Sequence, residues 1–377
     1  MSGQHAKLSP SSAKQWMACT PSIKLGSQFP NTSSSYAEEG TLAHSIAEKK
    51  LTKWITKSRK KIVCEDKEMD DYTTQYLDYI VEVFNKVKKN CKDPFILVEQ
   101  KLDLSEWTID GFGTGDCIII GDDTLHIIDL KYGEGDPVSS YDNPQLRLYA
   151  LGAIKEFGIL YEFDKVDMHI MQPRIDNTSD MTMTVKELVD WGNDEVKPKA
   201  VLAYDGLGDY NPGKSQCKWC KAKAVCKARA DNNLQLKEYG YLDPDLLNNE
   251  EISEILKKLE DLTSWAGDIK AHALDTMLQG VKYPGWKLVE GRSTRKVIDE
   301  DGLVKNLVAE GYDRSLLYTK KLANLTALEK LAGKKDFAII SAGCIEKPAG
   351  APTIAPESDK RAEYNSGAKD FAQELGV

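Results

Sequence analysis

The chain has no long apolar run, and no secretory leader is expected from its first residues. A transmembrane helix needs about 18 or more consecutive apolar residues, and no stretch of the 377 residues approaches that length. The first residues, MSGQHAKLSPSSAKQW, contain no apolar segment of the kind that directs secretion. We therefore expect no membrane partner and a location in a reducing compartment, the cytoplasm.

An excess of positive charge is also missing. The 59 acidic residues outnumber the 50 basic ones, and the net charge is −9. This balance argues against a basic coat that binds nucleic acid over the whole surface. It leaves nucleases open, because their basic residues can be local and their carboxylates can hold cations.

Cysteine is present, in a pattern that predicts a metal centre. Eight cysteines in a reducing compartment favour metal ligation over disulfides. Cys217, Cys220 and Cys226 are spaced C-x2-C-x5-C, and Cys19 lies almost two hundred residues upstream. Four thiolates suit a zinc ion and an iron–sulfur cluster equally well, so the spacing leaves both open.

A predicted hairpin around residues 121–123 brings charged side chains together. Its paired positions add up to 245, which places Asp116 opposite Asp129, with Cβ atoms about 4.5–5.5 Å apart. Two carboxylates that close repel unless a cation lies between them. Lys131 is two residues beyond Asp129 and on the same strand face, so all three converge at one edge of the sheet.

This combination is the one that phosphodiester hydrolysis needs. Carboxylate oxygens favour Mg²⁺ or Mn²⁺, which polarise a phosphate and lower the pKa of a bound water. Lys131 can neutralise the charge that builds on the phosphate. The plain alternative is a charged hairpin with Asp-x-Lys on its solvated face, because that motif alone has little specificity.

Three further positions extend the hypothesis, each with a structural alternative. His44 lies on a helix behind Gly40, where a histidine is usually structural or solvated. Gln145 and Tyr149 share one helix face that points toward the hairpin, as polar residues at the rim of an amphipathic helix also do. Glu99, in the strand before the hairpin, is either a carboxylate near the metal or an exposed strand residue.

The order of motifs resembles a known nuclease family. A cysteine after an N-terminal helix is followed by GTLAH, GTGD, IDLK, NPQLRLY and the C-x2-C-x5-C cluster. Over about residues 8–230 the chain resembles the PD-(D/E)XK nucleases that carry an iron–sulfur cluster. These include RecB- and AddB-type nuclease domains and CRISPR-associated exonucleases, and the resemblance is to a phage- or prophage-encoded member.

The resemblance implies an α/β fold and a domain plan. We expect a restriction-endonuclease-like core, in which helices flank a mixed central sheet, with a cysteine-ligated iron–sulfur staple and an appended helical C-terminal region. The nuclease domain would span residues 1–235, a mainly helical domain 236–343 and a flexible tail 344–377.

The resemblance also implies roles for individual residues. Lys131 would be the catalytic lysine, while Gln145 and Tyr149 would position the DNA strand. A 4Fe-4S cluster is implied at the four cysteines, with zinc as the rival. The metal ligands for Mg²⁺ or Mn²⁺ would be His44, Asp116, Asp129 and the carbonyl of Leu130.

The function that follows is a metal-dependent DNA exonuclease, with 5′-to-3′ digestion favoured. It would act on single-stranded DNA or DNA ends in phage recombination, replication or repair, in the cytoplasm of a bacterial host. A phage annealing or single-strand-binding protein is a further expected partner. A basic strip with an aromatic residue would contact the DNA through Lys218, Trp219, Lys221 and Lys223.

Two other classes remain open at this point. One is a DNA-end-binding recombination adaptor with little or no turnover, although the intact Asp116, Asp129 and Lys131 count against it. The other is a zinc-stapled structural protein of a phage replication complex. A metal-dependent cleavage assay separates both from the nuclease.

Overall fold

A computed structural model describes residues 6–30, 35–235, 247–287 and 300–309 of the chain. Two compact units divide it, Met1–Val289 and Glu290–Val377. Within the second unit the described part is one helix, Glu300–Ala309. The domain boundaries at 235 and 343 stay predictions, and the predicted tail 344–377 lies outside the described residues.

The first unit is built on one mixed five-stranded sheet. The strands follow in chain order across it, and only β3 and β4 run parallel, while every other neighbouring pair is antiparallel. This confirms the predicted α/β class, with a mixed sheet flanked by helices. The strands are β1 (Phe95–Asp103), β2 (Phe112–Ile120), β3 (Thr124–Leu130), β4 (Lys165–Gln172) and β5 (Asn177–Thr184).

Helices cover both faces of this sheet. The helices of the first unit are α1 (Ala13–Ala18), α2 (Ser22–Gly26), α3 (Ser35–Ile55), α4 (Lys67–Asn90), α5 (Pro144–Phe157), α6 (Val185–Trp191), α7 (Lys197–Asp205), α8 (Lys214–Cys217), α9 (Lys227–Leu234) and α10 (Asn249–Leu278). Short 3₁₀ turns at Pro10–Ser12 and Pro173–Ile175 and a π-helical turn at Gly192–Val196 join them.

The two faces bury different helices for reasons visible in the sequence. Helix α5 connects the parallel strands β3 and β4 and is apolar almost all round. Seven of its residues are buried, in the core on one face of the sheet. Helix α4 is amphipathic and packs the stripe of Tyr76, Ile80 and Val83 against the other face. Asp66 begins α4 by accepting hydrogen bonds from the backbone N–H groups of Glu68 and Met69.

The predicted register of the hairpin is confirmed. Cys117 pairs with Ile128 and Ile120 pairs with Leu125, so paired positions add up to 245. The predicted N-terminal helix ahead of Cys19 is present, as a 3₁₀ turn at Pro10–Ser12 that continues into α1. None of the helices in the described part of the chain combines the length and apolarity that crossing a membrane requires.

Candidate active site and cysteine cluster

The predicted catalytic residues lie where β2 and β3 separate. The pairing of β2 with β3 ends at Cys117 and Ile128, and Asp116 and Asp129 are the next residues beyond that last pair. Both strands are interior to the sheet, so the expected position at an edge is wrong, and the site opens at the ends of central strands. Only 2% of Asp129 is exposed, which puts a charged group in the protein interior.

Lys131 and the Gln145–Tyr149 pair hold this buried carboxylate. The Lys131 Nζ atom lies 2.7 Å from Asp129 Oδ2 and donates to Gln145 Oε1 at 2.8 Å. Gln145 Nε2 donates to Asp129 Oδ1 at 3.1 Å and to the Tyr149 hydroxyl at the same distance. Burial raises the pKa of Asp129, although the charge of Lys131 opposes this rise. Burial alone would lower the pKa of Lys131, but the charge of Asp129 outweighs that effect and raises it.

Tyr149 is buried beside Gln145, on the helix face that points toward the hairpin. Its ring is 6% exposed, and a Cβ atom added to Gly113 would come within 2.9 Å of it. The hydroxyl reaches Gln145, while the ring packs in the core beneath it. The Tyr149 hydroxyl therefore helps to orient the amide of Gln145, and the role of Tyr149 in positioning the DNA strand stays a prediction.

Asp116 and His44 form the second half of the site. Asp116 Oδ2 accepts a hydrogen bond from the Leu130 N–H at 2.7 Å and lies 3.4 Å from His44 Nδ1. Burial would lower the pKa of His44, but the Asp116 and Asp129 carboxylates outweigh it and raise that pKa to about 9. A histidine protonated against two carboxylates marks a place where positive charge is favoured.

Glu99 joins this half of the site. In the β1–β2 pairs on both sides of Glu99, the two residue numbers add up to 215, which places Glu99 opposite Asp116. The backbone of Glu99 is left-handed, with a φ of 49°. Burial, followed by the Asp116 charge, raises the pKa of Glu99 to about 7. The alternative of an exposed strand residue is wrong, because this side chain is partly buried beside two other titratable groups.

The donors fit a divalent cation. His44, Glu99 and Asp116 each offer a ligand atom, and these atoms lie within 4.8 Å of one another. One imidazole with two carboxylates suits Mn²⁺ and accepts Mg²⁺. The set differs from the implied one, since Glu99 is in it while Asp129 faces Lys131. We call His44, Glu99, Asp116, Asp129, Lys131 and Gln145 the carboxylate cluster.

The four predicted cysteines line one pocket between α1 and the α8–α9 segment, and we call them the cysteine cluster. The backbone N–H groups of Asn211 and Gly213 lie 3.5 Å from the sulfurs of Cys19 and Cys217. Burial raises the pKa of Cys19, Cys217 and Cys220, to about 11 for Cys220, so without a metal these thiols stay protonated.

Both predicted occupants stay open for this pocket. Zinc–sulfur bonds of about 2.3 Å hold the sulfurs of a tetrahedral site about 3.8 Å apart, and an iron–sulfur cluster also takes four cysteine thiolates. Four thiols that line one pocket supply the ligands for either.

The predicted basic strip is partly neutralised by residues distant in sequence. Lys218 pairs with Asp136 and Lys223 pairs with Asp268, both at 2.8 Å. Trp219 is 79% exposed, with the Lys218 ammonium 5.3 Å from its ring centre. The strip thus presents an open aromatic face, and the Lys218–Asp136 ion pair is exposed, so Lys218 can exchange Asp136 for another anion.

The comparisons with known proteins give a family. A family model described as "Protein of unknown function (DUF2800)" matches residues 5–362. The chain belongs to this family. Among solved structures, the DUF2800 chain is similar to one described as "Crystal structure of SSO0001", at 13% identity over 50% of this chain and 96% of that one. The TM-score of 0.23 means that this likeness supports no conclusion about fold or activity.

Sequence reasoning did not fix the place of Glu99 in this DUF2800 protein. The signal that could have found it is the strand before the hairpin, since pairing β1 with β2 in antiparallel register sets Glu99 opposite Asp116. A second group, His126, Asp167 and His169, was not singled out at all. Its members lie on β3 and β4, two parallel strands that α5 separates in the sequence.

Proposed function

We propose that this protein is a Mg²⁺- or Mn²⁺-dependent DNA exonuclease of the PD-(D/E)XK type. The observation that carries the proposal is the carboxylate cluster. In it, Asp129 contacts Lys131 and Gln145, and Gln145 also accepts from Lys131. Asp116, on the neighbouring strand, lies beside Glu99 and His44. Groups whose pKa values are shifted by burial together with a specific charged partner are concentrated at functional sites.

The protein groups divide the chemistry between them. A divalent cation at His44, Glu99 and Asp116 would polarise a phosphate and acidify a water. Lys131 stays protonated, because Asp129 raises its pKa, and can place its ammonium against charge that develops on the phosphate. When phosphate draws Lys131 away, Gln145 still donates to Asp129 and keeps that carboxylate in place.

Cation binding relieves the electrostatic cost within this cluster. Without a cation, protons on Glu99 and His44 reduce the repulsion among the carboxylates. A cation that displaces these protons satisfies the same charges, so binding should release protons. The cluster is therefore poised for a metal rather than for a permanent salt bridge.

The cysteine cluster supports a structural 4Fe-4S cluster in the proposal. Thiolates from Cys19 and from the 217–226 segment would join α1 to a segment that follows the sheet, with backbone N–H groups directed at two of the sulfurs. Anaerobically purified protein should then be brown and carry about four irons per chain. Colourless protein with one zinc per chain would assign the rival occupant.

The substrate in this proposal is the end of a DNA strand, with digestion from 5′ to 3′. Trp219 offers an exposed face on which a base can stack, a contact worth about 1–3 kcal/mol. Lys218, Lys221 and Lys223 would add sequence-independent attraction that weakens with salt. A phage annealing or single-strand-binding protein fits the same proposal as a partner that supplies or receives the strand.

The test is degradation of end-labelled single- and double-stranded DNA with Mg²⁺, Mn²⁺ or chelator. We expect metal-dependent release of short products, stopped by a blocked 5′ end. If a blocked 3′ end stops digestion instead, the polarity is wrong. Cutting of closed circular DNA identifies an endonuclease, and tight end binding without products identifies the recombination adaptor.

A further inference from the structure

A second cluster of metal-ligating side chains lies on the opposite face of the sheet from Lys131. His126 on β3 pairs with Asp167 on the parallel strand β4, and His169 is two residues further along. One ligand atom from each of the three lies within 4.8 Å of the other two. Alternate residues of a strand share one face, so His126 lies on the same face as Ile128 and Leu130, which pack under α4. Asp129 lies on the other face, toward α5.

Both histidines are buried and each keeps an unpartnered nitrogen. His126 is 9% exposed and His169 is 8% exposed. His126 Nδ1 and His169 Nε2 make no hydrogen bond within the described residues. His126 Nδ1 lies 3.5 Å from Asp167 Oδ2, close enough for attraction but without hydrogen-bond geometry. Burying a polar nitrogen without a partner is unfavourable, so two such nitrogens in one place point to an absent ligand.

The surrounding residues already orient these groups. Tyr79 of α4 shares a hydrogen bond of 3.0 Å with His169 Nδ1, which leaves Nε2 of that ring for another partner. Thr182 of β5 donates to Asp167 Oδ1 and leaves Oδ2 on the side of His126. The two rings stack with centres 5.8 Å apart. Hydrogen bonds on the far side of each ligand are the usual support of a metal site.

The charges also favour a cation. Burial lowers the pKa of both histidines, to about 4 for His169, so the rings are neutral and keep a lone pair. Asp123 and Asp180 add negative charge to that of Asp167. The positive charge of Lys86 also lowers the pKa of His169, but Lys86 forms an ion pair with Glu82 at 2.8 Å.

We propose that His126, Asp167 and His169 bind a divalent transition-metal ion of the zinc type. Two imidazoles and one carboxylate form a three-ligand set that zinc commonly uses, whereas Mg²⁺ prefers oxygen ligands throughout. The ion would fasten β3 to β4, the only parallel pair of the described sheet, and would join both to α4 through Tyr79. The site is independent of DNA cleavage and of the cysteine cluster.

The experiment is a Co²⁺ titration of the full chain, with the cysteine cluster loaded and with excess Mg²⁺ to occupy the carboxylate cluster. Co²⁺ reports its ligands by colour, because thiolate ligation gives intense near-ultraviolet charge transfer while nitrogen and oxygen ligation gives visible bands alone. We expect one equivalent to bind with visible bands, and Zn²⁺ to displace it.

Four variants locate the site. Asp167→Asn and His169→Gln should lose the visible bands and at least about 100-fold in Zn²⁺ affinity, and Tyr79→Phe should lose about 10–100-fold. Asp123→Asn removes the same charge nearby without removing a ligand and should bind as the parent does. Circular dichroism and a melting curve of each variant with Mg²⁺ check that it is folded.

Three results would overturn the site. The first is Co²⁺ binding with visible bands that Asp167→Asn and Tyr79→Phe leave unchanged. The second is loss of those bands in His44→Gln, which would place the ion in the carboxylate cluster. The third is an equal rise in the melting temperatures of the parent and of Asp167→Asn on adding Zn²⁺, which would make the buried histidines a neutral core pair. DNA cleavage enters none of these readouts, so they are decided separately from the nuclease proposal.

Discussion

The carboxylate cluster and the cysteine cluster are assembled over very different distances along the chain. Asp116, Asp129, Lys131 and Gln145 come from one hairpin and the helix that follows it, so local strand pairing brings them together. Cys19 and Cys217 are 198 positions apart and meet only when the whole sheet has formed between them. The first arrangement concentrates like charges and is suited to chemistry. The second closes a long loop and is suited to stability.

This contrast gives separate consequences for the two clusters. Changes in the carboxylate cluster should reduce cleavage while the protein stays folded, because a strand register does not depend on a single charge. Changes in the cysteine cluster should reduce stability first. Variants of the two clusters should therefore separate cleavage from stability.

The largest effect is expected at Lys131. Lys131→Gln keeps an amide beside Asp129 but removes the ammonium, so cleavage should fall about 100- to 1000-fold, as when one charge-stabilising donor is lost. Lys155→Gln is the matched control, because Lys155 forms an exposed ion pair with Asp103 at the same 2.7 Å. The measurement is single-turnover cleavage of labelled DNA. Equal rates in the two variants would remove Lys131 from the reaction.

Next comes the cysteine cluster. Cys220→Ala should bleach the protein and lower the free energy of unfolding by up to roughly 5 kcal/mol, the chain entropy that a cross-link of this loop length removes from the unfolded state. Cys91→Ala is the control, since Cys91 is also buried but only donates to Asp122 Oδ1 at 3.2 Å. Denaturant unfolding under anaerobic conditions gives both values. A Cys220→Ala protein as stable as the control would contradict a staple.

The pH dependence of stability should report the carboxylate cluster. The pKa of Glu99 is raised to about 7 and that of His44 to about 9, so the folded protein without metal holds protons that the unfolded chain releases from about pH 4.5 and 6.5. Stability without metal should therefore fall as the pH rises from 5 to 9.

Mn²⁺ should reverse this trend, because deprotonated donors bind it better. The rise in melting temperature on adding Mn²⁺ should be larger at pH 8 than at pH 5.5, and Glu99→Gln should flatten the difference. The control is Glu82→Gln, which alters an exposed ion pair with Lys86. A rise with Mn²⁺ that is independent of pH would mean that the ion binds elsewhere.

The smallest effect is expected at Tyr149. Tyr149→Phe keeps the buried ring and removes the hydroxyl that accepts a hydrogen bond from Gln145 Nε2. One hydrogen bond is worth about 1 kcal/mol, so cleavage should slow by roughly fivefold with unchanged DNA affinity. Weaker DNA binding with an unchanged cleavage rate would mean that the hydroxyl contacts the DNA rather than orienting Gln145.

The hairpin shows how much of this site the sequence could predict. Its turn residues and alternating pattern are local, so the opposition of Asp116 and Asp129 and the side of Lys131 follow from counting. Glu99 is harder, because β1 pairs with β2 around a residue with left-handed φ, and no local pattern announces such a residue. The edge strand β5 was not predicted, because its alternation is built from threonine and methionine rather than from large apolar residues.

Other features depend on pairing between distant segments. His126, Asp167 and His169 meet only through the parallel pair β3 and β4, whose register is set by packing on α5 and by no turn. The basic strip was predicted from a run without acidic residues. Asp136 and Asp268, which neutralise its lysines, come from 82 and 45 positions away. Charge along a sequence therefore describes a surface poorly wherever the fold adds residues to it.

The most direct test of the central claim is the Mn²⁺ dependence of single-turnover cleavage on end-labelled DNA. It compares the parent protein with Asp116→Asn and with the matched control Asp103→Asn, whose carboxylate is exposed and pairs with Lys155. We predict saturable, Mn²⁺-dependent cleavage by the parent and the control, and none by Asp116→Asn, although all three melt alike without metal. Cleavage by Asp116→Asn with an unchanged Mn²⁺ titration would contradict a metal-dependent nuclease built on the carboxylate cluster.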